Sequence, residues 1–181
     1  MFVLLETKRL MLRPFKAADI GRSLPFIADF AVAKNLSTVP HPYTEDDACA
    51  FVTKSAQGWT DRKDCSFSVL RKEDGSFIGM CGVHPAREWE FGYWVGRPHW
   101  GKGYATEAGA RVVAFAFDEL NADLLNAGWF VDNPVSGRVL EKLGFIPAGV
   151  TEHPCLARGC DVTCNRLTLD RATYMTRKMV P

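Results

Sequence analysis

The apolar and polar positions of this chain change period several times, and each change marks an element. Leu10 and Leu12 alternate with Arg9, Met11 and Arg13 over residues 9–14, the two-residue period of a half-buried strand. From Asp19 the pattern turns helical, with an interruption at Pro25. Thr44 then stands as a helix N-cap before Glu45, Asp46 and Asp47, acids that suit the positive end of a helix dipole. Ala48, Phe51, Val52, Ser55 and Trp59 follow at helical spacing. Residues 65–70 and 77–83 are predicted as strands, and Asp74-Gly75 between them as the positive-φ residues of a hairpin turn, so the two pair antiparallel.

A further strand is expected over residues 89–95. After a glycine-bearing turn comes a helix with Ala110, Val113, Ala114, Phe117 and Leu120 on the face that packs against a sheet. Residues 124–131 return as a strand. The next helix is punctuated by Asn133 as N-cap, Pro134 at the first helical position and Gly144 just past the end. Two closing strands flank the turn Ala157-Arg158-Gly159-Cys160. The fold class is α+β, with a mixed, mostly antiparallel central sheet and helices on both faces.

Composition narrows the function. The chain has 181 residues, 47% of them hydrophobic, and no linker, repeat or low-complexity run divides it, so residues 1–181 are expected to form one domain. A formal net charge of +1 without a basic block argues against nucleic acid or an anionic membrane as the main partner. No apolar run reaches membrane-spanning length, and Met1-Phe2-Val3-Leu4-Leu5 lacks the basic start of a secretory signal, so a cytoplasmic protein is expected. Cys49, Cys65, Cys81, Cys155, Cys160 and Cys164 are scattered and are read as free thiols. His153, Cys155, Cys160 and Cys164 lack a Cys-x-x-Cys knuckle, and no metal is expected there.

The chemistry concentrates in Arg97-Pro98-His99-Trp100-Gly101-Lys102-Gly103-Tyr104-Ala105-Thr106-Glu107-Ala108. Gly101 and Gly103 let the backbone approach an anion closely, and the following helix aims its unpaired N–H groups at the same place, which suits a pyrophosphate. A dinucleotide fingerprint fails, because Thr106 stands where a third glycine is needed, and the P-loop spacing fails as well.

The segment closely resembles the acetyl-CoA pyrophosphate loop of the GNAT N-acetyltransferases, written Gln/Arg-x-x-Gly-x-Gly/Ala. Pro98 occupies the Gln/Arg position, as it does in the RimJ/RimL-like branch, whose loops read much like Trp-Gly-Lys-Gly-Tyr-Ala-Thr-Glu-Ala. Asn133-Pro134-Val135-Ser136 followed by Glu141-Lys142-Leu143-Gly144-Phe145 resembles the family's other landmark, and Glu6-Thr7-Lys8-Arg9-Leu10-Met11-Leu12-Arg13-Pro14 resembles its opening strand.

That resemblance implies a GNAT fold with a V-shaped splay between the strands ending near Val95 and Val131, and acetyl-CoA as cosubstrate held in it. Backbone amides around Trp94 and Val95 would hold the thioester and pantetheine. Loop amides from Gly101, Lys102, Gly103, Tyr104, Ala105 and Thr106 would hold the pyrophosphate, with Asn133, Ser136 and Arg138 completing the cofactor site. Lys102 and Arg138 add charge near the phosphates or are solvated, and His99 lies within the loop. Trp89, Trp94, Trp100 and Trp129 cluster around the cleft.

The implied reaction is direct transfer of acetyl to a primary amine in a ternary complex, with no metal and no enzyme nucleophile. The amine is a protein N-terminal α-amine or a small molecule, and the protein a monomer or homodimer. Many relatives use a tyrosine seven residues after the Asn as donor to the departing thiolate. Leu140 occupies that position here, so the role passes to Ser136, whose other reading is a helix cap. Glu90 is the candidate base, its other reading being a strand residue paired with Arg87 or another cation. His84, with an ordinary pKa near ~6.5, is the alternative base. Glu107 is read as stabilising its helix terminus. A non-catalytic CoA-binding sensor domain is the alternative function.

Overall fold

The structure, a computed structural model, describes residues 3–85 and 88–179. Its elements in chain order are β1 (Leu5–Glu6), β2 (Leu10–Pro14), α1 (Ile20–Ile27) after a 3-10 turn at Ala17–Asp19, α2 (Phe30–Ala33) and α3 (Glu45–Asp61). Then come β3 (Cys65–Arg71), β4 (Phe77–Pro85), β5 (Trp89–Val95), a 3-10 turn at Arg97–His99, α4 (Tyr104–Asp118) and β6 (Leu124–Phe130). The chain closes with α5 (Pro134–Leu143), β7 (Ile146–Cys155), β8 (Cys160–Asp170) and α6 (Arg171–Met179). The described strands form one sheet in the order β1-β2-β3-β4-β5-β6-β8-β7. All its pairings are antiparallel except β5 with β6, which meet in parallel only at Trp89↔Leu125 and Glu90↔Asn126.

Cross-strand partners share a face of the sheet, and the register sorts the two faces. Phe67, Cys81, Val83 and Phe91 face the main core with α4 and α5, whose Val112, Phe115, Ala116 and Leu140 are almost fully buried. The other face carries Leu70, Met80 and Trp94 under α1 and the Phe51–Val52 side of α3. Among the described residues no helix is long and apolar enough to cross a membrane.

Several sequence expectations need correction. Pro25 does not interrupt α1; it sits inside it as the sixth of eight residues, at the cost of one intrahelical donor. The β3–β4 turn has one positive-φ residue, Gly75 at 68°, while Asp74 works through its carboxylate, accepting from Ser76 N and pairing with Arg71. On α4 the expected face holds in part: Val113 and Phe117 are buried and Leu120 packs against the core, but Ala110 is exposed, and the buried face runs instead through Tyr104, Ala108, Val112, Phe115 and Ala116. The strand β1 and the helix α6 were not expected. Thr44 does cap α3, in a reciprocal box with Asp47.

Candidate active site

The splay of β5 from β6 is the origin of the site. Past Glu90 and Asn126 the two strands have no further pairing, so β5 presents an unpaired edge from Phe91 to Val95. Gly96 N–H donates to Ile78 O at 2.9 Å, and an antiparallel ladder alternates, so the amides of Trp94 and Gly92 face β4. Those of Tyr93 and Val95 face the gap. Of the two amides expected there, Val95 is turned to the gap; the Trp94 amide is not, and Tyr93 takes its place.

The gap opens into a cleft of about 520 Å³, within the range of small-molecule sites. Trp94, Val95, Gly101, Gly103, Tyr104, Ala105, Thr106, Asn133, Ser136 and Arg138 all line it. Lys102 does not: its side chain is exposed and its carbonyl accepts from Arg9 Nη1 at 3.0 Å. Gly101 and Gly103 adopt φ of 73° and 78°, the left-handed region that glycine enters freely, and nothing lies within 4 Å of where a Gly101 Cβ would stand. The loop is thus an open backbone cradle ahead of the α4 N-terminus, as an anion requires. Arg138 and Lys142, one turn apart on α5, add cations to the same wall. His99 also lines the cleft, but burial lowers its pKa and its Nδ1 is shut in without a partner, so it adds no charge.

Arg9 and Glu107 hold this loop in place, and neither role was legible from spacing. Glu107 accepts from Thr7 Oγ1 (2.6 Å), Arg9 N (2.8 Å) and Arg9 Nε (2.6 Å), while the Arg9 guanidinium lies 4.6 Å from the Tyr104 ring centre. Burial pushes the Glu107 pKa up, but these bonds outweigh it and the net shift is downward. Its carboxylate, in the first turn of α4 as expected, is also an anchor between the β1–β2 turn and that helix.

A second cleft, about 600 Å³, lies on the sheet face opposite α4 and α5. Its floor is nearly bare backbone, because Gly82 and Gly92 are cross-strand partners and Gly128 continues the row on β6. Glu90, His84, Asp64, Lys54, His153 and Arg166 surround that floor. The two clefts share Tyr93, Trp94, Asn133 and Ser136, and also Asn35 and Leu36 of the α2–α3 segment, which roofs both. So Ser136 and Asn133 lie at a junction, and Glu90 lies only on the second side.

At the junction Tyr93 OH and Ser136 Oγ are 2.8 Å apart, and Tyr93 OH also reaches Ser136 O at 3.5 Å. A phenol that donates to both leaves the Ser136 hydroxyl proton free to point into the cofactor cleft. Burial raises the Tyr93 pKa to about 12, with the Ser136 bond opposing, so the phenol keeps its proton. Ser136 is not a helix cap, since no side-chain bond caps α5, and the Asn133 side chain is likewise uncommitted. Tyr93 is the group that sequence reasoning missed. The period-two pattern places it on the face opposite Glu90 and Trp94, toward α5, which was the available signal.

Glu90 has a cation partner, though not Arg87, which lies outside the described residues. Arg166 of β8 crosses β6 and donates to Glu90 Oε2 at 2.7 Å. The crossing needs a glycine beneath it: a Cβ on Gly128 would stand 2.6 Å from Arg166 Nη1 and 2.8 Å from Cys164 Sγ. Among the described residues no three His, Cys, Asp or Glu side chains converge as a metal site requires. The six cysteines are unpaired.

Known proteins carry the same architecture. The acetyltransferase (GNAT) domain family matches residues 9–146. The protein p20 of Bacillus licheniformis, described as an uncharacterized N-acetyltransferase, is 30% identical over 162 residues, spanning 86% of this chain and 89% of that one. YoaA of Bacillus subtilis (strain 168), also described as an N-acetyltransferase, is 28% identical over 169 residues, 91% of this chain and 95% of its own. Among solved structures, the ribosomal-protein-S5-alanine acetyltransferase of Vibrio fischeri superposes with a TM-score of 0.80 at 18% identity, covering 93% and 96% of the two chains. The spermidine N-acetyltransferase of Vibrio cholerae, solved with CoA and spermine, does so with 0.79 at 20%, covering 93% and 99%.

Proposed function

The chain belongs to the GNAT acetyltransferase family, and from that premise we propose that it transfers acetyl from acetyl-CoA to a primary amine by direct attack in a ternary complex. Bound acetyl-CoA supplies an activated acyl thioester. The amides of Gly101 to Thr106 and the α4 N-terminus hold its pyrophosphate, with Arg138 and Lys142 beside it. The Val95 and Tyr93 amides at the splay hold the thioester carbonyl and stabilise the negative charge that develops on its oxygen. The Ser136 hydroxyl, oriented by Tyr93, donates to the sulfur as it leaves.

The observation that carries this reading is the junction itself. A phosphate-suited cleft and a carboxylate-bearing cleft open on opposite sides of one hydroxyl pair, so two substrates can meet there without either displacing the other. The second cleft takes the amine, with Glu90 at its floor. The wording of the loop and of the opening strand favours the RimJ/RimL-like branch, one catalytic domain acting in the cytoplasm on a protein N-terminal α-amine or a small amine. The relatives named above for S5 alanine and for spermidine stand at those two poles.

The test is release of free CoA from acetyl-CoA in the presence of N-terminal peptides, polyamines and amino acids. Amine-dependent release above the no-amine rate is expected. Tight acetyl-CoA binding with no release across the whole panel would replace this reading with a CoA-binding sensor domain.

A further inference from the structure

An amine reaches a protein at neutral pH mostly as an ammonium, and it cannot attack until it loses a proton. Glu90 is poorly placed to accept that proton, because its Oε2 is already bound to a permanent cation, Arg166, in a half-buried pair. The second cleft contains a better-disposed group. His84 is the cross-strand partner of Glu90, and its Cε1 overhangs the bare Gly92 backbone, 3.3 Å from where a Gly92 Cβ would stand. Its ring lines the cleft and reaches solvent, and among the described residues neither ring nitrogen makes a hydrogen bond.

The groups facing it from neighbouring elements are Asp64 ahead of β3, Glu90 on β5 and Lys54 on α3, with Arg166 behind Glu90 and His153 on the far wall. Asp64 accepts from Ser66 Oγ through one of its oxygens (2.8 Å). We infer that His84 is the proton acceptor for the amine, while the Glu90 and Asp64 carboxylates attract and orient the arriving ammonium. This rests on the acyl-transfer reading above.

The proton balance closes. One N–H bond of the ammonium breaks, its electron pair stays on nitrogen, and the proton moves to a His84 ring nitrogen. The nitrogen pair then forms the C–N bond as the C–S pair leaves on sulfur. The second proton shed by nitrogen passes to water in the cleft, while Ser136 Oγ, held in place by Tyr93, gives its proton to sulfur and is reprotonated from that water. The imidazolium returns its own proton to water at the cleft mouth, so each turnover releases one proton. Loss of water around the ring depresses its pKa, with Lys54 adding to this and Asp64 and Glu90 opposing, so His84 is neutral and able to accept at pH 7.

The experiment compares wild type, His84→Gln and His84→Ala with an amine that wild type accepts. At pH 7, kcat/KM for the amine should fall by about a hundredfold in both variants, with the acetyl-CoA dissociation constant unchanged and the defect shrinking toward high pH. Added imidazole should partly restore His84→Ala. Independently of turnover, ring NMR of the cofactor-free protein should show His84 titrating below its ordinary value of 6.5. Unchanged amine kinetics, a pH profile parallel to wild type, or a ring still protonated above pH 7 would overturn the assignment. If wild type itself released no CoA with any amine, the acyl-transfer reading would fall and this one with it, whereas silent His84 variants of an active wild type overturn this one alone.

Discussion

The hydroxyl pair at the junction permits a double-mutant test whose size follows from its geometry. Tyr93 OH and Ser136 Oγ are 2.8 Å apart in a partly buried setting, and such a neutral bond contributes about 0.5–1.5 kcal/mol. If Tyr93 acts only by holding Ser136 in the donating orientation, Tyr93→Phe removes that much preference and lowers kcat by about two- to twelvefold. Ser136→Ala removes the donor itself and lowers kcat by roughly tenfold or more. The double variant should then be no slower than Ser136→Ala alone, because an orienting group has nothing left to orient.

The measurements are kcat for CoA release at saturating substrates and acetyl-CoA affinity by calorimetry, which should hold within about twofold if the bond acts on the departing sulfur and not on ground-state binding. Each single variant should lose about 1–6 °C in Tm, the same bond energy read through the unfolding entropy of a domain this size. Defects that multiply in the double variant would show two independent hydroxyls and refute the orienting role. A Tm loss with kcat preserved would reduce the pair to a structural tie between β5 and α5.

What could be read from the chain and what could not divide along a physical line. Strands and caps were legible wherever one local cause sufficed: Leu10 and Leu12 in alternation, the Thr44 box, Pro134 and Gly144 around α5. The face of α4 was legible only in part: Val113, Phe117 and Leu120 do pack inward, but Ala108, Ala110, Ala114 and Ala116 are alike to any periodicity argument, and only packing shows which of them is buried. The Glu90–Arg166 pair depends on β8 inserting beside β6 and on the missing side chain of Gly128, facts of sheet order that no window of sequence contains. Asn133 shows the converse. Its position and residue type both predict a capping side chain, yet the structure makes no such bond and leaves that side chain at the junction of the clefts.

Three further outcomes follow. Gly101→Ala should weaken acetyl-CoA binding by roughly tenfold or more in calorimetry: no protein atom opposes the methyl, but φ of 73° does and the anion cradle is lost; unchanged affinity removes the loop from the cofactor site. Arg158→Ala should raise the amine KM and weaken acetyl-CoA binding several-fold, about 1 kcal/mol each, because Arg158 ties the carbonyl of Lys34, in the segment that roofs both clefts, to Asp132 (2.7 Å to Lys34 O; 2.8 and 3.1 Å to Asp132); unchanged values for both substrates would refute a role in holding the roof. Asp19 governs acid stability. Fully buried, it accepts from Arg13 through both oxygens (2.6 and 2.7 Å), from Ser68 Oγ (2.9 Å) and from Lys16 N (3.2 Å), and although burial pushes its pKa up, these partners carry it below its ordinary 3.8. A carboxyl depressed in the folded state binds its proton more readily when unfolded, so its contribution is fully present above pH 3.8 and is lost as pH falls through the lower folded value. Asp19→Asn should therefore cost about 3–5 kcal/mol at pH 7, roughly 6–20 °C in Tm, by stranding the Arg13 charge. The gap between variant and wild type should narrow only below pH 3.8. A Tm difference that stays constant down through that range would mean that the Asp19 carboxylate carries no net stabilising charge.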